Sequence, residues 1–153
     1  MKLLLLVTLL WSGAAQAQPD ARSAQAIVAG CATHASAKRQ GHAIAVVDLG
    51  GDLVAGLRMD GNGSGIMNFA LAKAQAAAAW GFGTAQMLEG AKNTPGFERA
   101  PKVVTVPGGV PLWSTDGLTR IGAVGVSGEA LPDDVACAVA GIAAAGLRSE
   151  RIR

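Results

Sequence analysis

His42-Ala-Ile-Ala-Val-Val-Asp-Leu-Gly-Gly-Asp-Leu-Val-Ala-Gly-Leu-Arg58 decides the fold class. Its first arm, His42 to Val47, is rich in β-branched residues. Asp48 to Asp52 is turn chemistry, and Leu53 to Arg58 resumes the strand pattern. Strands joined this tightly pair antiparallel, because a parallel pair needs a crossover of a dozen residues or more.

The neighbouring segments extend this reading. Arg22 to Gln40 is helical, with Ile27, Cys31 and His34 on one face and Gly41 placed to stop it. After the hairpin, Asp60 to Gly65 is a second glycine-rich turn, with Asn62 or Ser64 available as a helix cap. Ile66 to Trp80 then reads as a helix on which Ala70, Ala74 and Ala77 permit close approach. Thr84 to Glu89 is a short helix and Gly90 to Lys102 a loop. Lys102 to Val106, Val110 to Ser114 and Leu118 to Ser127 are the third, fourth and fifth strands, with Asp116-Gly117 turning the last two. Gly122 and Gly125 mark points where another backbone or a ligand comes close. Leu131 to Leu147 closes the chain as a helix, with Pro132 in its first turn, Asp133 and Asp134 complementing its dipole, and Gly146 near its end. Hairpins that do not alternate with helices define an α+β domain.

The N-terminus bears on location. Lys2 precedes an apolar run from Leu3 to Trp11, and Ala15-Gln16-Ala17 offers a small-x-small cleavage pattern. The run is about half of the roughly 20 residues a membrane helix needs. The expectation is a cleaved signal peptide over residues 1–17, one domain over 18–153, and a periplasmic or secreted protein with no membrane span. Removing one lysine leaves twelve bases against eleven acids. That near-neutral balance, with few aromatics, excludes a nucleic-acid partner. Arg148, Arg151 and Arg153 form the one local cluster of cations.

Several chemistries lack their signatures. No GxGxxG or GxxxxGK[ST] occurs in the right context, and Gly125-Val-Ser-Gly128 is not a GxSxG elbow. Ser127 reads as a strand-end serine bonding to backbone. The absence of CxxC and CxxCH argues against a thioredoxin-like site and covalent haem. Cys31 and Cys137 form either a disulfide or two buried thiols. Two histidines, His34 and His42, cannot fill a closed zinc site alone, but a single imidazole suffices as an axial ligand to haem.

Ala45-Val-Val-Asp-Leu-Gly-Gly51, Arg58-Met-Asp-Gly61, Lys73-Ala74, Gly108-Gly-Val-Pro111 and Gly122-Ala-Val-Gly-Val-Ser-Gly128 occur in this order. The set resembles the GlcG/HbpS-like haem-binding (haem-degrading) family, related to the C-terminal domain of PduO-type proteins, over residues 22–147. The resemblance implies a profilin-like, five-stranded antiparallel sheet flanked by N-terminal, middle and C-terminal helices, assembled into a homo-oligomer. It also implies non-covalent binding of haem or a related tetrapyrrole, with a link to iron handling or redox sensing. His34 would be the axial metal ligand by its place on the first helix. Lys38 and Arg58 would pair with propionates, as cations do with carboxylates. One departure is Gln75 to Ala79, where an aromatic-plus-Thr commonly follows the Lys-Ala pair. With no tyrosine in the chain, phenolate ligation of iron is excluded. Two further functions compete with haem binding. One is an enzyme acting on haem or a small organic acid, using His34 or His42 with Asp60 or Asp116. The other is an assembly or sensor-partner domain whose Ala-rich helices form subunit interfaces.

Overall fold

The computed structural model describes residues 18–152. The signal-peptide reading of residues 1–17 lies outside them. Among the described residues, no helix is long and apolar enough to cross a membrane.

Four α-helices and four strands follow one another as α1 (Ala21–Ala37), β1 (Ala43–Val47), β2 (Leu53–Arg58), α2 (Ser64–Trp80), α3 (Thr84–Asn93), β3 (Gly109–Trp113), β4 (Arg120–Ser127) and α4 (Leu131–Ala144). The strands form one antiparallel sheet in the order β2-β1-β4-β3. Alternation along β1 and β4 feeds two cores. Ile44, Val46, Val124 and Val126 meet Ile27, Cys31, Cys137 and Ile142 of α1 and α4 on one face. Ala43, Ala45, Val47 and Ala123 meet Ala70, Ala74 and Ala77 of α2 on the other. The alanines of α2 are therefore spent against the chain's own sheet, so they do not supply the subunit interface their composition suggests.

The glycines of β4 permit close backbone approach, Gly125 by α2 and Gly122 by the end of β1. A Cβ at Gly125 would lie 1.9 Å from the Ala70 carbonyl oxygen, and one at Gly122 would lie 2.1 Å from that of Val47. The α2 backbone thus rests almost directly on the sheet. On the opposite face, a disulfide between Cys31 and Cys137, with Cα atoms 4.7 Å apart, joins α1 to α4. This settles the choice between a disulfide and two thiols.

The sheet has four strands, not five. Lys102–Val106 lies between Pro101 and Pro107, with Lys102 at φ 59°, and forms no strand. The β3 edge also offers no ladder for it. Val126 N–H donates to Gly108 C=O, so in the antiparallel alternation Gly109, Pro111 and Trp113 point their backbone groups outward. Gly109 N–H is taken by Thr84 Oγ1, and Pro111 has no N–H to give. Trp113 exchanges both backbone bonds with Arg148. Pro at such a position protects an exposed edge.

Helix ends account for other differences. α1 stops at Ala37 in a Schellman motif whose left-handed residue is Arg39, at φ 57°, rather than at Gly41. α4 ends three residues before Leu147, and Gly146 takes the equivalent left-handed position. Neither Asn62 nor Ser64 caps α2. Gly63 is its N-cap, and the Asn62 side chain donates instead to the Met59 carbonyl.

Candidate functional site

Three elements converge on one buried carboxylate. Lys73, in mid-α2 on the same stripe as Ala70, Ala74 and Ala77, is 1% exposed. Its ammonium donates to Asp134 Oδ2 at 2.9 Å, to the Val126 carbonyl at 3.0 Å and to Ser127 Oγ at 3.4 Å, and stands 4.8 Å from the centre of the Phe69 ring. Asp134 Oδ1 accepts from His42 Nδ1–H at 3.1 Å and from the Glu129 backbone N–H at 3.2 Å. Asp134 is 1% exposed and His42 fully enclosed. Lys73 thus reaches from the α2 side of the sheet to the first turn of α4.

This geometry limits the chemistry available. The Lys73 ammonium is spent on a carboxylate and a carbonyl, so it does not serve as a base toward Ser127. The serine ends the strand as expected from sequence, but its hydroxyl accepts from the Lys73 side chain instead of bonding to backbone. His42 presents its Nδ1 proton to Asp134, which leaves Nε2 buried and without a partner among the described residues. A carboxylate that fixes the imidazole tautomer in this way orients the ring, the role such partners play behind ligating histidines. Here the ring is sealed from solvent. The acid–base pairs expected of His34 or His42 with Asp60 or Asp116 do not form. His42 is committed to Asp134, and Asp116 accepts from Ser114 Oγ and Leu118 N–H. The Ser114 hydroxyl, then the Leu118 N–H, hold the Asp116 carboxyl below its ordinary value.

The residues named from sequence fall into two places. His34 and Lys38 lie one turn apart on α1, between the Cys31–Cys137 bridge and an ion pair of Lys38 with Asp133 at 3.5 Å. The Gln40 side-chain amide, then Lys38, keep the Asp133 carboxyl below its ordinary range. His34 is partly exposed as a residue, yet its Nε2 is buried and has no hydrogen-bond partner among the described residues. Arg58 is not brought to this side. It pairs with Ala43, whose side chain belongs to the α2 core, and its guanidinium donates to the Asn62 carbonyl ahead of α2.

A separate concavity lies elsewhere. A slot of about 1130 Å³ runs along the β3 edge, between the Gly81–Gln86 corner, Val135 and Val139 of α4, Leu118, and the tail from Ser149 to Ile152. Neither His34 nor any side chain of the Lys73–Asp134–His42 network lines it.

Sequence reasoning missed the network. Its one local signal was Lys73 itself, an uncompensated cation within a stripe of small apolar residues, which burial requires to be paired. Asp134 gave no comparable signal beside Asp133, because both suit the start of a helix.

A four-stranded antiparallel sheet with one helix layer on each face defines an α+β domain. The family model for haem-degrading protein HbpS-like matches residues 20–143, and the chain belongs to that family. Solved structures agree. The chain is 25% identical to the protein in the crystal structure of a PduOC–haem complex, with TM-score 0.77 over 85% of this chain and 96% of that one. A double mutant of Streptomyces reticuli HbpS aligns at 22% identity and TM-score 0.78, over 94% and 97% of the two chains. Klebsiella pneumoniae protein ORFY aligns at 24% identity and TM-score 0.78, over 91% and 97%. The latter two establish the fold. No curated protein matches the chain.

Proposed function

We propose that this protein is an exported, non-covalent haem-binding protein in which His34 is the axial ligand. The observation that carries the reading is the uncommitted Nε2 of His34, because buried polar atoms without partners are rare and call for an explanation. His42 has a similar free nitrogen, but it is enclosed and fixed by Asp134, whereas His34 is partly exposed as a residue. The residues present suit the group: an imidazole for iron, and Lys38 one turn on for a propionate. Arg58, on the other side of the sheet, is left out of this arrangement within one subunit. Bound haem would supply a redox-active iron. The chain's part is to orient one imidazole on a helix held at two points against α4.

Export and self-association belong to the same proposal. The leader pattern over residues 1–17 supports the first. Exposed Leu53 and Leu57, on the β2 edge, support a homo-oligomer.

Hemin titration of the purified protein tests the reading. The expected result is a saturable Soret band that weakens and shifts in His34→Ala. An unchanged spectrum and affinity in that variant would remove His34 as the ligand, and no binding by the parent protein would remove the function. Loss of the Soret band with ascorbate and oxygen would move the reading to haem degradation.

A further inference from the structure

The slot along β3 has a chemistry of its own. Its lining is apolar and aromatic on opposite sides: Phe82 and Pro111 toward the α2–α3 corner, Val135 and Val139 on α4. Trp113 and Leu118 complete it, and Leu118 is 60% exposed. The walls are held in place. Phe82 packs edge-on against Trp80, with centroids 6.0 Å apart, and Trp80 in turn against Phe97 at 5.3 Å. The tail is pinned by the Trp113–Arg148 bridge and by Ile152 N–H donating to Gly117 C=O.

The β3 backbone forms the floor, and its outward N–H groups are already occupied or absent. A polypeptide strand therefore finds no ladder to join, which removes the usual occupant of a sheet edge. What remains is recognition through side chains. Two aromatic rings offer faces or edges to a planar π-system. Arg151 and Glu150 both line the slot, and Arg148 joins them in an adjoining recess of about 330 Å³, so slot and recess together carry two cations and one acid. That balance favours an anionic edge. The lining contains no His, Cys, Met or Tyr. Iron would find no strong protein ligand there.

From these features we infer that the slot is a second binding site, separate from His34, which takes flat, apolar, carboxylate-bearing macrocycles of the porphyrin class without metal coordination. The aromatic walls and the cation select a rigid planar anion over a flexible aliphatic one.

Metal-free protoporphyrin IX is the probe, followed by its fluorescence with the full protein. The expected result is saturable binding that His34→Ala leaves unchanged. Val139→Glu and Leu118→Glu place a carboxylate in the apolar walls at exposed positions, and each should weaken binding about tenfold or more. Arg151→Glu should weaken it as well, and dodecanoate at equal concentration should fail to displace the porphyrin. The inference is overturned if the wall variants bind normally, if His34→Ala abolishes porphyrin binding, or if dodecanoate competes. It is also overturned if Val139→Glu changes only the oligomeric state by light scattering, which would make the slot a subunit interface. Loss of binding in the wall variants leaves hemin ligation at His34 untouched, whereas loss in His34→Ala would move the porphyrin to that residue.

Discussion

Lys73 Nζ lies 2.9 Å from Asp134 Oδ2 with both side chains sealed from solvent, so the middle of α2 is tied to the first turn of α4 through the end of the sheet. Breaking a buried pair strands a charge. Lys73→Met should destabilise the protein by about 3–5 kcal/mol. Asp134→Ala should cost more, since it leaves Lys73, His42 and the Glu129 N–H without their common acceptor. The double change Lys73→Met with Asp134→Leu should recover part of the loss. Urea unfolding of the three variants checks this. Equal effects of Lys73→Met and a surface control such as Lys92→Met would refute it.

Gly125 tolerates no side chain. Alanine there would place a carbon 1.9 Å from the Ala70 carbonyl, so α2 would have to lift from the sheet. We expect a loss of about 3 kcal/mol or more, at the upper end of overpacking effects. Gly65, around which a Cβ would meet nothing within 4 Å, is the matched control and should change stability little on substitution by alanine. Thermal melts of both variants decide the point.

The Cys31–Cys137 bridge spans 106 residues. For a loop of that order, chain-entropy arguments give about 4.7 kcal/mol of stabilisation. Cys31→Ala with Cys137→Ala should therefore lower the urea midpoint clearly, and reductant should have the same effect on the parent protein. A midpoint indifferent to reductant would show that the helices hold without the bond.

Acid should act through three carboxyls. Asp20, held down by the Ser23 N–H and then its hydroxyl, joins Asp116 and Asp133 in titrating below the ordinary 3.8 in the folded state. Each contributes stability that is fully present above its unfolded value and is lost as pH falls through its lowered folded value. The melting temperature should be flat with respect to these groups above about pH 5 and decline below 3.8. Asp20→Asn keeps an N-cap acceptor and should flatten that decline, as read by circular dichroism between acid and neutral pH.

Local chemistry made much of this fold readable. The Asp48-Gly50-Gly51 turn closes as its residues require, with Asp48 Oδ1 accepting from Asp52 N–H and Gly51 at φ 88°. Gly122 and Gly125 marked close backbone approach, and a backbone is what approaches. Lys102 to Val106 shows the limit of such reading. A β-branched run becomes a strand only where a neighbour has open N–H and C=O groups, and Thr84 and Arg148 had already taken those of β3. The candidate site was legible in part: His34 and Lys38 share a face because helix period places them there. Arg58 went to the other side because the pleat, not its position after a hairpin, sets its direction. Lys73, Asp134 and His42 meet only in space, across 61 and 92 residues.

The pairing of α1 with α4 has a consequence for how the chain is made. Of the described helices, α1 is made first and finds α4 only when that last helix arrives. The side of Cys31 that meets Cys137 therefore stays uncovered until late in synthesis, even where Ile27 can already rest on β1. A nascent chain truncated before residue 131 would lack the α4 half of the core around Cys31, and quality control would meet an unfinished molecule rather than a smaller finished one.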